Sequence, residues 1–267
     1  MITNIVIKIY RKKMVKIELN KIYNIDCIEY MKTLPNNCVD LIIADPPYFK
    51  IVKEEWDNQW KTEEDYLNWC SIWISECSRI LKEDGTIYVY GSQQLITELE
   101  ILLKNELIFR KRLIWYRADN QRQRTTIYNE NYEPILYFTK TDKYTFNNNA
   151  LQIPSKYAGQ KHKRYDKNGN PYWKEVNPTK QCGDVWEINK VKGGSKEDTK
   201  HKTQKPLMIC DRIILASSNE EDLIYIPFGG SGSEIASCII NNRNYIATEI
   251  NKEYIDEIII PRIKELK

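Results

Sequence analysis

The stretch Val39-Asp-Leu-Ile-Ile-Ala-Asp-Pro-Pro-Tyr48 decides how this chain is read. An apolar run of strand length stops at a carboxylate, two prolines and an aromatic ring. The prolines fix two φ angles, and Pro46 also keeps Asp45 out of the α region, so the carboxylate and the neighbouring carbonyls have little freedom. In a doubly wound sheet, ligands bind outside the carboxyl ends of the strands. Asp45, Pro46, Pro47 and Tyr48 therefore stand where a site would form. A plain strand-ending Asp-Pro turn is the alternative.

On either side of this stretch, short apolar runs alternate with longer amphipathic ones, the pattern of strands and crossover helices in an α/β sheet. Strands are expected over 21–26, 39–44, 86–90, 107–116, 132–139, 222–226 and 244–249. Apolar residues at helical spacing between Thr62 and Lys82 predict a core-facing helix, with Thr62 as N-cap and Gly85 as the stop. Further helices fit 93–105, 204–218, 232–242 and 251–266. Residues 141–200 show no sustained period and read as a loop-rich insert.

The 267 residues suffice for one sizeable core. With 40 Lys+Arg against 37 Asp+Glu the net charge is only +3, so composition alone announces no polyanion ligand. The charge is uneven, however: residues 155–205 hold 13 Lys+Arg and 6 Asp+Glu, which leaves a negative balance elsewhere. Seven cysteines with no CxxC pair, beside two histidines, point to a reducing cytoplasm and to no structural metal. No run is long enough to span a bilayer, and the first residues lack a signal-peptide core. Residues 1–14 read as a loose extension, or the residues before Met14 as a misassigned start, since Met14 opens a stretch that leads directly into the first strand.

A second feature is Tyr225-Ile-Pro-Phe-Gly-Gly-Ser-Gly-Ser233, between a strand and a helix, followed by a strand that ends at Glu249. Glycines there admit a ligand close to the backbone, and an acid ending the next strand can hold a ribose diol. The loop lacks the GK[ST] ending of a phosphate cradle, so a nucleoside fits better than a nucleotide. A lone glycine-rich turn is a weak signal; together with the tetrapeptide and Glu249 it points to a cofactor site.

With these motifs in hand, the chain resembles the S-adenosylmethionine-dependent amino DNA methyltransferases in their β order, adenine N6 or cytosine N4 specific. Asp45-Pro-Pro-Tyr48 matches the catalytic tetrapeptide, Phe228-Gly-Gly-Ser-Gly232 the cofactor loop, and His201-Lys-Thr-Gln-Lys-Pro206 the segment before it. The resemblance covers residues 15 to 262, thinly across 141–200. It implies a mostly parallel, seven-stranded, circularly permuted Rossmann-like sheet. The core would be 15–140 with 200–267, and 141–199 a variable target-recognition insert. Asp26 and Cys27 would end the first strand against the cofactor's adenine. Glu249 would bind the ribose, and Thr203, Gln204 and Lys205 would flank the methionine end. Phe228, Gly229, Gly230, Ser231 and Gly232 would line the loop, with Asp45 facing both cofactor and base.

The expected reaction is methyl transfer to the N6 amine of a flipped adenine. An exocyclic amine is a poor nucleophile because its lone pair is delocalised into the ring; Asp45 and the Pro46 carbonyl are the acceptors that would draw its hydrogens out of plane. Removing one such group is a term of order 3 kcal/mol. Tyr48 would stack on the base. No Pro-Cys pair of the kind used for ring-carbon attack is present. Asp rather than Ser or Asn in the tetrapeptide leans toward adenine. The rivals are a cytosine-N4 enzyme and an inactive methyltransferase fold that binds DNA.

DNA contacts are expected from Arg117, Arg122 and Arg124, with a solvated polar loop as the alternative, and from Lys161, Lys163 and Arg164. Tyr172 and Trp173 could stack on bases, or Trp173 and Trp186 could anchor the insert on the core. Expected partners are DNA and a companion restriction endonuclease, for a monomer or homodimer. His162 and His201 receive no catalytic role. The chain departs from the family at Lys202, where Pro is usual, and at Ile226, where Asp is usual. Loss of that Asp predicts a cofactor affinity weaker by ~1–3 kcal/mol.

Overall fold

In a computed structural model that describes residues 17–51, 53–118, 125–199 and 201–266, β2 (Val39–Ala44) lies mid-sheet and is covered on both faces. Ile42 and Ala44 point into one core while Leu41 and Ile43 point into the other, the period-2 alternation of a strand, and Val39, on the far side of a register shift between Val39 and Leu41, joins the first core out of that alternation. Helices α1 (Cys27–Met31), α2 (Glu63–Ile80) and α3 (Ile96–Lys104) contribute to the first core. On the opposite face lie α4 (Leu207–Ser217), α5 (Ser233–Ile240) and the C-terminal helical segment. Each fully buried side chain in these cores, Trp73 and Ile43 among them, contributes about 1.5–3 kcal/mol of burial.

The main sheet runs β1-β12-β11-β2-β3-β5-β4-β10. Its strands are β1 (Lys21–Tyr23), β3 (Leu81–Tyr90), β4 (Ile108–Tyr116), β5 (Tyr132–Thr139), β10 (Val185–Glu187), β11 (Leu223–Ile226) and β12 (Asn244–Thr248), besides β2. All pair in parallel except β5, which is antiparallel to both β3 and β4. β11 and β2 are neighbours, but the chain leaves β11 through α5 on one face towards β12 and leaves β2 through α2 on the other face towards β3, so the strand order reverses between them. A crevice at that point is the expected ligand site.

All seven expected strands form, and the sheet gains an eighth: β10 comes from the segment read as a loop-rich insert. That segment also carries β6 (Gln152–Pro154) paired with β9 (Thr179–Gln181), and β7 (Lys161–Tyr165) paired with β8 (Pro171–Glu175). Every residue of β7 and β8 is exposed, so no in–out alternation marks them in the sequence. Thr62 caps α2 as expected, in a capping box with Asp65. Gly85 is no helix stop, because α2 ends at Ile80 and β3 begins at Leu81 with Gly85 inside it. The final helix is three pieces rather than one: Lys252–Tyr254, a π-helical turn over Ile255–Ile259, and Ile260–Glu265. Among the described residues no helix is long and apolar enough to cross a membrane. The expected extension over 1–14 lies outside the described residues.

Candidate active site

The tip after β2 is held from three sides. Asp57, 1 % exposed, accepts from the Tyr48 N–H through Oδ1 (2.6 Å) and from the Ile51 N–H through Oδ2 (3.1 Å). Tyr66 of α2 donates its hydroxyl to the Pro47 carbonyl at 3.1 Å. The prolines withhold two backbone donors, and these side chains fix what the sheet ladder no longer can. Asp57 and Tyr66 carried no site signal in the sequence, because their part in the tip shows only once the chain has folded back.

Four polar groups converge on this tip. The Lys205 ammonium lies 3.0 Å from Asp45 Oδ1 and 2.7 Å from Glu133 Oε1 of β5. The Tyr48 hydroxyl stands 3.0 Å from the same Asp45 oxygen and 2.8 Å from the same Glu133 oxygen. Lys205 is enclosed further by the rings of Tyr90, at 5.0 Å, and Tyr48, at 5.4 Å. Burial raises the Asp45 carboxyl pKa and Glu133 adds to the rise, against the opposing pull of Lys205. Burial works against the charge on Lys205, yet the carboxylates of Asp45 and Glu133 overcome it and hold the ammonium above its ordinary range. Among the described residues, hydrogen bonds to the Asp45 carboxylate fall on Oδ1, which leaves Oδ2 as a further acceptor.

Opposite, β11 runs into the glycine loop and β12 into Glu249. The Glu249 carboxylate accepts from the Gly230 N–H and the Asn251 N–H, each at 2.8 Å. A Cβ at Gly229 would come within 3.2 Å of Glu249 Cβ and Ile259 Cδ1, so only glycine leaves this wall as bare backbone. Gly232 has a φ of 69° and caps α5, its backbone set against Ile259. From behind, Arg262 donates to the Ser231 carbonyl (3.1 Å) and the Ser233 hydroxyl (3.0 Å). Phe228 packs on Trp69 and Trp73 of α2, which ties the loop to the first core.

A single cavity of about 1300 Å³ joins both halves. Asp45, Pro46, Pro47 and Tyr48 line it together with Asp26, Cys27, Thr203, Gln204, Lys205, Phe228, Gly229, Gly230, Ser231 and Glu249. Thus every expected catalytic residue and all but one expected cofactor residue meet there, although they lie far apart in the chain. Gly232 is the exception, since it stands behind the wall as a cap. Asp26 does not end a strand: β1 stops at Tyr23, and Asp26 caps α1 by accepting from the N–H groups of Ile28 (2.9 Å) and Glu29 (3.1 Å). The Lys205 ammonium is directed at Asp45 and Glu133, the acceptor side of the cavity. Gln204 is used locally, accepting from Thr199 and donating to the Glu197 carbonyl.

Ile226 is not on the wall. It is 1 % exposed and packs in the second core with Ile224, Ile235 and Ile259. The expectation of weakened cofactor binding through this position loses its basis, because the side chain faces away from the cavity. Lys202 pairs with Glu54 across the rim. His201 borders Gly230 and the Tyr254 ring, and burial followed by the charge of Lys205 pushes its pKa down to about 4.

Two cavity residues were missed or left open by the sequence. Glu133, in Asn131-Tyr-Glu-Pro-Ile135, had no assigned role. Glu234 at the start of α5 is 4 % exposed, and burial, with Asp45 adding to it, pushes its carboxyl up to about 7. Arg117 lines the cavity beside the Trp115 ring, whereas Arg122 and Arg124 lie outside the described residues. Lys161, Lys163 and Arg164 are on the exposed β7–β8 ribbon, away from the cavity wall. Trp173 is 67 % exposed on that ribbon, whereas Trp186 is the buried anchor, packed in the second core and donating to the Gly183 carbonyl.

Residues 39–260 match the family model of the N6/N4 methyltransferases, described as DNA methylase. This chain belongs to that family. Among curated relatives, a DNA adenine methyltransferase of Escherichia coli, YhdJ, is 35 % identical over 89 % of this methylase and 81 % of its own length. The type II methyltransferase M.BglII of Bacillus subtilis is 36 % identical over 90 % and 68 %. Solved structures share the fold. The M1.HpyAVI–SAM complex aligns with a TM-score of 0.63 at 23 % identity, over 91 % of this methylase and 98 % of that chain. The PvuII DNA methyltransferase, described as cytosine-N4-specific, aligns with a TM-score of 0.67 at 14 % identity, over 92 % and 90 %.

Proposed function

We propose that this DNA methylase uses S-adenosylmethionine to methylate the N6 amine of an adenine turned out of a specific DNA sequence. The observation that carries the reading is that a proline-stiffened Asp45 and a bare-backbone glycine wall with Glu249 open onto one cavity. The wall residues fit a nucleoside-type cofactor. Glu249 is an anchored carboxylate suited to a ribose diol, and a Cβ at Gly229 would press within 3.2 Å of Glu249 Cβ and disturb that carboxylate's seat. Asp26 and Cys27 line the same cavity and would lie against the adenine ring, and Thr203 with Gln204 would flank the methionine end.

When bound, the cofactor supplies a methyl group whose bond to sulfur breaks with the electron pair left on sulfur, as the amine lone pair forms the N–C bond. Asp45 Oδ2 and the Pro46 carbonyl accept the two amine hydrogens and turn the lone pair out of the ring plane. As the nitrogen becomes cationic, the Asp45 carboxylate gains electrostatic value in a site sheltered from water, and it then accepts the proton that the nitrogen sheds. Tyr48 offers its ring to the extruded base, which offsets part of the few kcal/mol of unstacking. The aspartate in the tetrapeptide favours adenine, in keeping with the adenine-methylating relative.

The insert over 141–199 is the target-recognition region in this reading. Its β7–β8 ribbon sets Lys163 opposite Trp173 and Arg164 opposite Tyr172, cations beside rings on an exposed two-stranded element narrow enough for a major groove. Likeness to type II methyltransferases suggests a companion endonuclease and a cytoplasmic setting. Mass spectrometry of nucleosides from the DNA of cells expressing the protein tests the whole: N6-methyladenine should appear and should be missing with Asp45→Ala. A new N4-methylcytosine peak in its place would overturn the choice of base, and no new methylated nucleoside would overturn the activity.

A further inference from the structure

Two carboxylates share one ammonium at the acceptor side of the cavity. Lys205 contributes a single positive charge, its side chain only 4 % exposed, while Asp45 and Glu133 contribute two negative charges with side chains 22 % and 13 % exposed. The Tyr48 hydroxyl has one proton to give and stands within reach of both carboxylates. Among the described residues, the other groups nearest the cluster do not cancel the surplus. Tyr90 and Tyr66 are neutral, with burial raising both phenols. His201 is neutral near pH 7, and Glu234 could only add negative charge. Arg117 lies over the Trp115 ring on the neighbouring strand. A net negative charge in a sheltered site is costly unless something cationic is due to arrive.

We propose that Glu133 is a positioning residue of the methyl transfer: by sharing Lys205 and Tyr48 with Asp45, it keeps a surplus negative charge trained on the amine nitrogen as that nitrogen becomes cationic. This rests on the methyl-transfer reading. With Asp45 alone, Lys205 would neutralise the acceptor; with Glu133 present, the ammonium is divided between two carboxylates and Asp45 retains its pull. The aromatic and carboxylate partners also fix the rotamers of Lys205 and Tyr48, which face substrate only if held there.

The experiment compares pH profiles of tritium transfer from labelled S-adenosylmethionine to DNA for the wild type, Glu133→Gln and Glu133→Asp, beside calorimetric cofactor affinity. Asp45 must be ionised to accept, so activity falls as pH drops through its pKa, and the charge of Glu133 raises that pKa. Glu133→Gln should lower kcat roughly 10- to 100-fold, shift the acid limb to lower pH, and leave cofactor affinity within about twofold. Glu133→Asp keeps the charge and should keep the acid limb while losing part of kcat. If Glu133→Gln does not fold, as judged by loss of cofactor binding, Glu133→Asp decides alone: a profile and kcat matching the wild type would overturn the role. Wild-type transfer with an unaltered Glu133→Gln profile overturns the inference and leaves the methyltransferase reading standing. No transfer by the wild type overturns both.

Discussion

Replacing Lys205 by methionine tests the architecture of the site without reference to turnover. The substitution keeps an unbranched side chain out to the ε position and removes an ammonium that lies 3.0 Å from Asp45 and 2.7 Å from Glu133. Removing one partner of a buried pair typically costs about 3–5 kcal/mol, because an uncompensated charge remains. Here two carboxylates would remain, facing each other across the Tyr48 hydroxyl. For a protein of this size each kcal/mol moves Tm by about 2–4 °C, so a fall of roughly 10 °C is expected near pH 8. The sign of the pH dependence follows from the direction of the shifts. Without the ammonium, the folded-state pKa of Asp45 rises further above its unfolded value, so the penalty is absent below the unfolded pKa and grows as pH climbs through the folded one. Urea denaturation of both proteins at pH 4.5, 6 and 8 should show a gap that widens with pH. A gap below about 1 kcal/mol at pH 8, or one that is equal at every pH, would refute the buried cluster.

Glu234 carries a related expectation: its carboxyl, raised from 4.5 to about 7, favours the folded state only while protonated, and that contribution is lost as pH rises through 7. Glu234→Gln should therefore stabilise by up to about 3 kcal/mol at pH 8 and hardly at all near pH 4, as read by denaturant midpoints; equal gains at both values would argue against a buried carboxyl. Ile226→Asp should destabilise by several kcal/mol through a carboxylate placed among Ile224, Ile235 and Ile259, and calorimetry should find no tighter cofactor binding in the fraction that folds. On the ribbon, Trp173→Ala should weaken DNA binding by about 1–3 kcal/mol with the salt slope preserved, while Lys163→Ala should reduce that slope by about 1. Titrations at several salt concentrations separate the two, and identical slopes throughout would place the ribbon off the DNA.

Whatever was set by local pattern could be read from the sequence. The apolar run of β2, the Thr62 cap, and the tetrapeptide and glycine loop at strand ends each carry their signal within about ten residues, and a doubly wound sheet then brings strand ends together. What depended on distant company was hidden. Lys205 has a site role in the sequence only through the family segment, at the methionine end, and its enclosure by Asp45 and Glu133 exists only once β2 and β5 are brought together. Glu133 sits in a strand whose other residues read only as apolar. Helix α1 has five residues, too few to show a period, so Asp26 read as a strand end when it is a cap. The strands β7 and β8 have no buried face, and β10 has three residues, so the insert read as loop-rich. At Ile226 the family pattern suggested a lost contact, but the alternation of β11 turns that position inward to the core.

The placement of β12 and β11 between β1 and β2 has a consequence for how the molecule can be divided. A cut at the tip of the ribbon, between Asp166 and Asn170, would leave a first fragment whose β1 has no neighbour and a second whose β11 and β12 have open edges on both sides. Each fragment would hold one bank of the cleft and neither could close its own sheet. Reassociation would be driven by the same ladder and apolar faces that order the intact chain, so the severed enzyme should behave as a switch made of two silent parts, active only when they meet.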